Sequence, residues 1–458
     1  MSFWEDVWAL PTSRILFFVI ALVVAFGFEF INGFHDTANA VTTVIYTRTM
    51  KPTPAVLYSG AMNFLGVLVG GTAVAFSIVN LLPVDLLVAA DSAAALVMVL
   101  SLLLAGVLWN LGTWYLGIPV SSSHTLIGSI LGVGLANSVL AGAGLRGVNW
   151  SKAGEVGLAL LISPAIGFVG AALLLLAMKR LIPEPRLYVP PVGDDKPPGW
   201  VRWTLVATCG AVSLAQGSND GQKGMGLILL VLIGFLPTHF ALNTNHPEEV
   251  KAVQAALAKL PEAVDRPGQP LGDDAQAIRQ DLRDAESKLK GVRSFAELPR
   301  AQRWEVRQAL FRLARSVAAD PALRHYEAER RAFTDAIEFV PLWVVVGVAL
   351  ALGIGTMVGY KRIVITVAEK IGKTHLTYAQ GAAAELVAAA TILAADVAHA
   401  PVSTTQVLSS GVAGTMAANR SGIQGGTCRK ILLAWVFTLP GTTLLAGALF
   451  GLGQWLAG

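Results

Sequence analysis

Asn32-Gly33-Phe34-His35-Asp36-Thr37-Ala38-Asn39-Ala40 sets an aspartate, a histidine and two asparagines shortly after a long apolar run, Ile15 to Phe28. A second copy lies far downstream, Gln216-Gly217-Ser218-Asn219-Asp220-Gly221-Gln222-Lys223-Gly224. Aligning the two puts Gly33 on Gly217 and Asp36 on Asp220. A charged side chain at the centre of a bilayer costs at least about 2.5–3.5 kcal/mol. Two such clusters in equivalent places argue for a purpose that packing alone does not supply.

The surrounding chain supports a membrane setting. Of 458 residues, 54% are hydrophobic and 14% charged, and the mean hydropathy is +0.60. Soluble domains carry about 25% charged residues. Residues 239–338 hold 16 of the 34 Lys/Arg and 16 of the 30 Asp/Glu, so the remainder is more apolar still. The basic excess sits in short clusters beside apolar runs, at Lys179-Arg180, Lys361-Arg362 and Arg429-Lys430. That distribution suits membrane loops and a lipid-bilayer partner, and gives no case for nucleic acid. Cys209 and Cys428 are isolated, so neither a disulfide framework nor a zinc site follows. Glu5, Asp6 and Arg14 precede the first apolar run, which has no small-residue cleavage site and reads as a retained helix.

Spans of about 20 apolar residues are needed to cross the bilayer. Candidates are Ile15 to Gly33, a span within Pro52 to Pro83, a broken stretch from Ser92 to Leu145, Gly157 to Met178, Trp203 to Gln216, Met225 to Pro237, and four more after Phe339. Counting broken pieces, the expectation is an all-α polytopic membrane protein with about 10 to 12 membrane segments. Residues 1–180 form a first transmembrane repeat and 181–202 a polar, Pro-rich linker. Residues 203–238 and 339–458 form a second repeat, interrupted at 239–338 by a charged, soluble helical insert.

A second motif pair supports the duplication. Ile118-Pro119-Val120-Ser121-Ser122-Ser123-His124 matches Ala400-Pro401-Val402-Ser403-Thr404-Thr405-Gln406. Asp36 precedes Ser121 by 85 residues and Asp220 precedes Ser403 by 183; the excess of 98 is close to the length of the insert. Repeats of this kind are typical of transporters, and the residues alone leave inverted and parallel arrangements open.

Proline suits the start of a helix, and Ser or Thr the cap beside it. Helices starting after Pro119 and Pro401 would each present free N–H groups, a positive dipole end and three hydroxyls, which is an anion site. Two facing starts would wrap a tetrahedral oxyanion with Ser121, Ser122, Ser123, Ser403, Thr404 and Thr405. Asp36 and Asp220 must then be paired, protonated or bound to a cation. Asp36, Asn39, Asn219 and Asp220 offer oxygen ligands suited to a hard cation such as Na⁺. His35 is a candidate proton carrier. Glu29 and Glu385, in apolar runs, are candidate cation or proton sites by the same cost argument. Lys223 is placed to neutralise either Asp220 or the anion. Asp396 and His399 read as interfacial, and Trp109, Trp114 and Tyr115 as anchors or packing.

At these residues the chain resembles the inorganic phosphate transporter (PiT) family, and most of all its bacterial low-affinity permeases. Gly33 to Ala40 with Gly217 to Gly224 carries the duplicated Gly-x-Asn-Asp type of motif, and the long polar insert is similar too. The resemblance implies an inverted repeat, two re-entrant hairpins with phosphate bound between them, a homodimer, and a multi-pass protein of the bacterial inner membrane. It implies symport with H⁺ in the bacterial branch and Na⁺ elsewhere, no cofactor, and divalent metal–phosphate complexes as a form of the cargo. Two departures stand out. His35 replaces an Asn of sodium-coupled relatives, and Gln406 replaces the His that ends the second motif. Glu385 resembles an acidic position of the sodium-coupled members and pulls the other way.

The residues leave sulfate open on the same scaffold. A hydrolase using Ser123 and His124 fits poorly, because neighbours on a helix point apart. No enzyme is expected.

Overall fold

The computed structural model describes residues 3–81, 93–142, 144–145, 148–191, 197–264 and 275–457. Parts of the stretch before Ala93, of the Pro-rich linker (192–196) and of the insert (265–274) thus lie outside the described residues. Among the described residues the chain is helical, with no strand beyond one isolated bridge between Gly372 and Ile423. It divides into two compact units, one of Phe17–Val231 with Pro341–Gly458, the other of Met1–Leu16 with Leu232–Val340.

The larger unit contains α2 (Thr12–Tyr46) from Phe17 on; the short α1 (Phe3–Trp8) precedes it. Then come α3 (Pro52–Val69), α4 (Ala73–Val79), α5 (Ala93–Tyr115), α6 (Ser122–Leu140), α7 (Trp150–Leu181) and α8 (Gly199–Phe235). After the insert follow α13 (Leu342–Met357), α14 (Lys361–Glu369), α15 (Tyr378–Val397), α16 (Thr404–Ala418) and α17 (Gly425–Ala457). The order of long, medium and short helices after α2 recurs after α8.

Seven helices among the described residues are long and apolar enough to cross a membrane. The sequence expectation of separate spans on either side of the second polar motif is corrected. Trp203–Gln216 and Met225–Pro237 are not two segments, because α8 runs unbroken through Asn219, Asp220 and Lys223. In the same way α2 continues through His35, Asp36 and Asn39 to Tyr46. At about 1.5 Å per residue these helices are roughly 50–55 Å long, well beyond the ~30 Å of a hydrocarbon core. The polar residues interrupt the hydropathy and leave the helix intact, since every backbone group there keeps its intrahelical bond.

What holds the motif helices in place is close backbone packing. A Cβ on Gly33 would stand 2.5 Å from the Thr356 nitrogen on α13, and one on Gly217 would stand 2.1 Å from the Asn63 carbonyl oxygen on α3. The two aligned glycines therefore do the same job, each against the helix that follows the other copy. The helices α3 and α13 are themselves joined by Asn63, whose amide donates to Thr356 Oγ1 at 2.9 Å. Thr37 Oγ1 lies 2.6 Å from both the Gly33 and Thr356 carbonyl oxygens. Small residues that let backbones approach are the usual means of helix association where lipid removes the hydrophobic drive.

The same reciprocity governs the hydroxyl-motif helices. α6 packs along α17, and α16 along α7. Gly132 meets the Thr443 carbonyl and Gly414 the Phe168 carbonyl, at 2.2 and 2.1 Å from a notional Cβ. Each copy's hydroxyl-motif helix is thus buried against the long helix that ends the other copy.

The smaller unit is built from α9 (Pro247–Val264), α10 (Ala275–Leu289), α11 (Arg300–Ala319) and α12 (Glu327–Ile337). Its core includes Val253, Leu257, Leu282, Phe295, Leu310, Leu313 and Phe333. Buried Arg307 donates to the carbonyls of Phe240, Ala241 and Ile337, and Arg312 clasps Asp281 through two bonds of 2.8 and 2.6 Å. Most of its charged residues face water around an apolar centre, and the buried Arg307 and Asp281 are hydrogen-bonded.

Candidate functional site

Within the larger unit, the starts of α6 and α16 meet. Ser121 caps α6, its Oγ accepting from the His124 N–H at 3.1 Å; Ser403 caps α16, accepting from the Gln406 N–H at 3.3 Å. Each cap takes one of the N–H groups that a helix start leaves over, and the earlier ones remain at the tip. The tips touch. Ser123 Oγ donates to the Val402 carbonyl at 3.0 Å, and His124 Nδ1 lies 3.4 Å from Gln406 Nε2. Ser121, Ser122, Ser123, Ser403, Thr404 and Thr405 are all buried.

The caps change the part that Ser121 and Ser403 play. Their oxygens are engaged by their own helices, so they shape the tips more than they reach outward. Ser121→Ala and Ser403→Ala are each expected to cost about 1 kcal/mol of stability through the lost cap and to raise the KM for the transported anion. Thermal unfolding and uptake kinetics check both effects; an unchanged KM in both variants counts against an anion at the tips.

The two aspartates converge on one hydroxyl of the second tip. Thr404 Oγ1 stands 3.3 Å from Asp36 Oδ1 and 2.9 Å from Asp220 Oδ2. A hydroxyl has one proton, so it serves one carboxylate at a time. Asp220 is further paired with Lys223, whose Nζ also donates to Ser123 Oγ at 2.7 Å and to the Val402 carbonyl at 2.6 Å. Asp36 has no such partner, and its Oδ2 finds no hydrogen bond among the described residues. Asn39 donates to Thr405 Oγ1 at 3.2 Å, and its Oδ1 is likewise unpartnered.

Asn219 is held differently. Its amide donates to Asp396 Oδ1 at 2.5 Å, and its Oδ1 accepts from the Val402 N–H at 3.3 Å. Ser218 donates to the other oxygen of Asp396. Beyond the interfacial placement expected of it, Asp396 is half-buried and holds the amide of Asn219 beside the start of α16. Sequence reasoning missed this because the partners are 177 residues apart. A carboxylate in the last turn of α15, where the helix dipole disfavours it, was the available signal. His399 is exposed, with φ 55°, in the place that Gly117 holds, with φ 66°, before the first hydroxyl motif.

Two sequence candidates stand apart from the pair. His35 Nε2 lies 3.1 Å from the Asn110 carbonyl on α5. Glu385 accepts from Thr208 Oγ1 at 2.5 Å, and Thr208 precedes Asp220 by roughly 18 Å along α8. Glu29 lies nearer. Its carboxyl carbon would be 2.4 Å from a Cβ on Gly224, the residue after Lys223, and both its oxygens are unpartnered among the described residues. Trp114 is packing: its Nε1 donates to the Gly359 carbonyl at 2.7 Å and Arg362 covers its ring.

Residues 32–446, which hold both motif pairs, match the family described as the phosphate transporter family, PHO4. The chain belongs to that family. It is 40% identical over 486 residues to the low-affinity inorganic phosphate transporter PitA of Escherichia coli (strain K12), a match covering 95% of this chain and 96% of the relative. It is 39% identical to PitB of the same organism, over 96% and 97% of the two chains. A probable low-affinity inorganic phosphate transporter of Bacillus subtilis (strain 168) is 29% identical, over 92% of each. Among solved structures, a sodium-dependent phosphate transporter matches with a TM-score of 0.57 and 19% identity, over 96% of this chain and 100% of the other, a likeness of fold. The resemblance drawn from the motif pairs holds, and this member of the phosphate transporter family is a multi-pass membrane transporter and not an enzyme.

Proposed function

We propose that the chain is a secondary active transporter that carries inorganic phosphate across the bacterial cytoplasmic membrane together with H⁺. The observation that carries this reading is the meeting of the two helix starts at Thr404, where Asp36 and Asp220 approach one hydroxyl. The phosphate sits between the starts of α6 and α16. It takes N–H groups from the first turns and hydroxyls from Ser122, Ser123, Thr404 and Thr405, with Ser121 and Ser403 holding the turns in shape. Asp36 supplies the coupling. Asp36, Asp220 and Lys223 together carry one negative charge more than positive when ionised, so an anion cannot join them without bringing a cation.

The orphaned oxygens of Asp36 and Asn39 support a cation site at these two residues. A proton on Asp36 satisfies the charge with the fewest ligands, and His35 is turned toward Asn110 and contributes no oxygen, which supports H⁺ over Na⁺. Asn219 and Asp220 complete the set on the other side. Glu385 serves a separate step, beside Thr208. The two halves are inverted repeats, each hydroxyl motif forms the tip of a re-entrant hairpin, and the broken pieces bring the membrane segments to 10 to 12. The protein is a homodimer whose cargo includes divalent metal–phosphate complexes, and residues 239–338 are a soluble insert.

Uptake of radiolabelled phosphate into proteoliposomes tests this. Accumulation driven by an imposed H⁺ gradient, with none from Na⁺ alone, is expected, and excess sulfate should compete weakly. Uptake driven by Na⁺ alone would overturn the H⁺ assignment, and equal inhibition by sulfate would overturn phosphate as the chosen anion.

A further inference from the structure

The two aspartate motifs share Gly33 with Gly217 and Asp36 with Asp220, and among the aligned positions that differ, the one three residues after the aspartate changes the charge. Asp36 is followed there by Asn39, and Asp220 by Lys223. The two side chains make equivalent contacts. Asn39 reaches Thr405, the third hydroxyl of the second tip, and Lys223 reaches Ser123, the third hydroxyl of the first. The Lys223 ammonium lies among a carboxylate oxygen of Asp220, the Ser123 hydroxyl and the Val402 carbonyl. Carboxylate, hydroxyl and backbone carbonyl are what a hard cation takes as ligands. All three N–H donors of the ammonium are used.

The first copy offers a carboxylate, an amide oxygen and the Thr404 and Thr405 hydroxyls, with the uncharged Asn39 where the second copy has Lys223. Asp36 Oδ2 and Asn39 Oδ1 are buried without partners among the described residues, whereas both oxygens of Asp220 and the Oδ1 of Asn219 are engaged. We infer that Lys223 is a tethered cation standing in the second half for an exchangeable one, so that only the Asp36–Asn39 half takes up and releases a coupling cation in each cycle. The inference rests on the cation-coupled reading above and adds its stoichiometry. Lys223 also contributes positive charge between the two helix starts, so the anion meets one fixed and one exchangeable cation.

The consequence is directional. Lys223→Asn opens the second half to a free cation, so each phosphate should then move with one cation more than in the unaltered protein. Asn39→Lys tethers a cation in the first half as well, so each phosphate should move with one cation fewer. The reversal potential of phosphate flux in proteoliposomes of the full chain, under imposed H⁺ and Na⁺ gradients, reads both. Shifts in opposite directions are the expected result. An unchanged cation-to-phosphate ratio in Lys223→Asn would overturn the inference. So would loss of gradient dependence in that variant, since Lys223 would then carry the exchangeable proton itself. If Lys223→Asn does not fold, Asn39→Lys decides alone: an unchanged ratio refutes the tethered cation. Absence of any gradient-driven uptake by the unaltered protein would instead overturn the transport reading beneath it.

Discussion

Asp220→Asn should abolish phosphate uptake and destabilise the purified protein by about 3–5 kcal/mol. It strips the Lys223 ammonium, which is 3% exposed, of its ion-pair partner, and breaking a buried ion pair by removing one partner costs about that much. Asp36→Asn should abolish uptake too, with a different signature. Asp36 is completely buried, bonds the Thr404 hydroxyl and shares it with a second carboxylate, Asp220, so neutralising Asp36 relieves a buried like-charge contact. Its thermal stability should hold or rise while transport is lost. Uptake in proteoliposomes, with thermal unfolding of the same preparations in detergent, separates the two. Full transport by either variant would remove the coupling role assigned to that aspartate, and equal destabilisation by both would contradict the asymmetry set by Lys223.

Gly217→Ala should have the next largest effect. The added Cβ would sit 2.1 Å from the Asn63 carbonyl oxygen, 2.8 Å from the Asn63 carbonyl carbon and 2.8 Å from its Cα, all backbone atoms that no rotamer change can move aside. Either α8 shifts from α3 or the protein loses stability, and overpacking of this kind costs about 1–3 kcal/mol. Asp220 lies within one turn of the contact, so the same shift would pull it away from Thr404. Lower thermal stability and reduced uptake are expected together. Gly33→Ala should behave alike through Thr356 and Gly355 on α13. By contrast Gly27, with nothing within 4 Å of its notional Cβ, should accept alanine without loss. Wild-type stability and transport in Gly217→Ala would show that this close approach does not hold the motif helix.

Much of this arrangement could be read from the chain because it occurs twice. One Asp36 beside an apolar run has several bland explanations, but a second at Asp220, with hydroxyl motifs at matched spacing, has few. The same duplication aligned Gly33 with Gly217, but their shared packing role appears only with their neighbours in the fold. The continuity of α2 and α8 was not legible. Hydropathy falls wherever polar residues cluster, so a polar patch inside a helix reads as its end. The role of Asp396 was hidden for another reason, since its hydrogen bonds to Ser218 and Asn219 depend on tertiary placement that no local pattern encodes. His35 and Glu385 show the converse. Their residue types suit proton or cation work, yet the fold turns one toward Asn110 and the other toward Thr208, and only geometry separates them from Asp36. Lys223 was ambiguous between two anions; its ammonium pairs with Asp220 and also reaches Ser123 at the first tip.

The central claim is that phosphate at the facing helix starts and a cation at Asp36 bind as a unit. Linkage requires that each raise the affinity of the site for the other by the same factor. The most direct measurement is equilibrium binding of radiolabelled phosphate to the purified protein as the H⁺ concentration is varied, at fixed concentrations of H₂PO₄⁻ and then of HPO₄²⁻. Phosphate affinity should rise with H⁺ concentration in the unaltered protein and lose that dependence in Asp36→Asn. A phosphate affinity indifferent to H⁺ in the unaltered protein, or equally dependent on it in Asp36→Asn, would contradict the account.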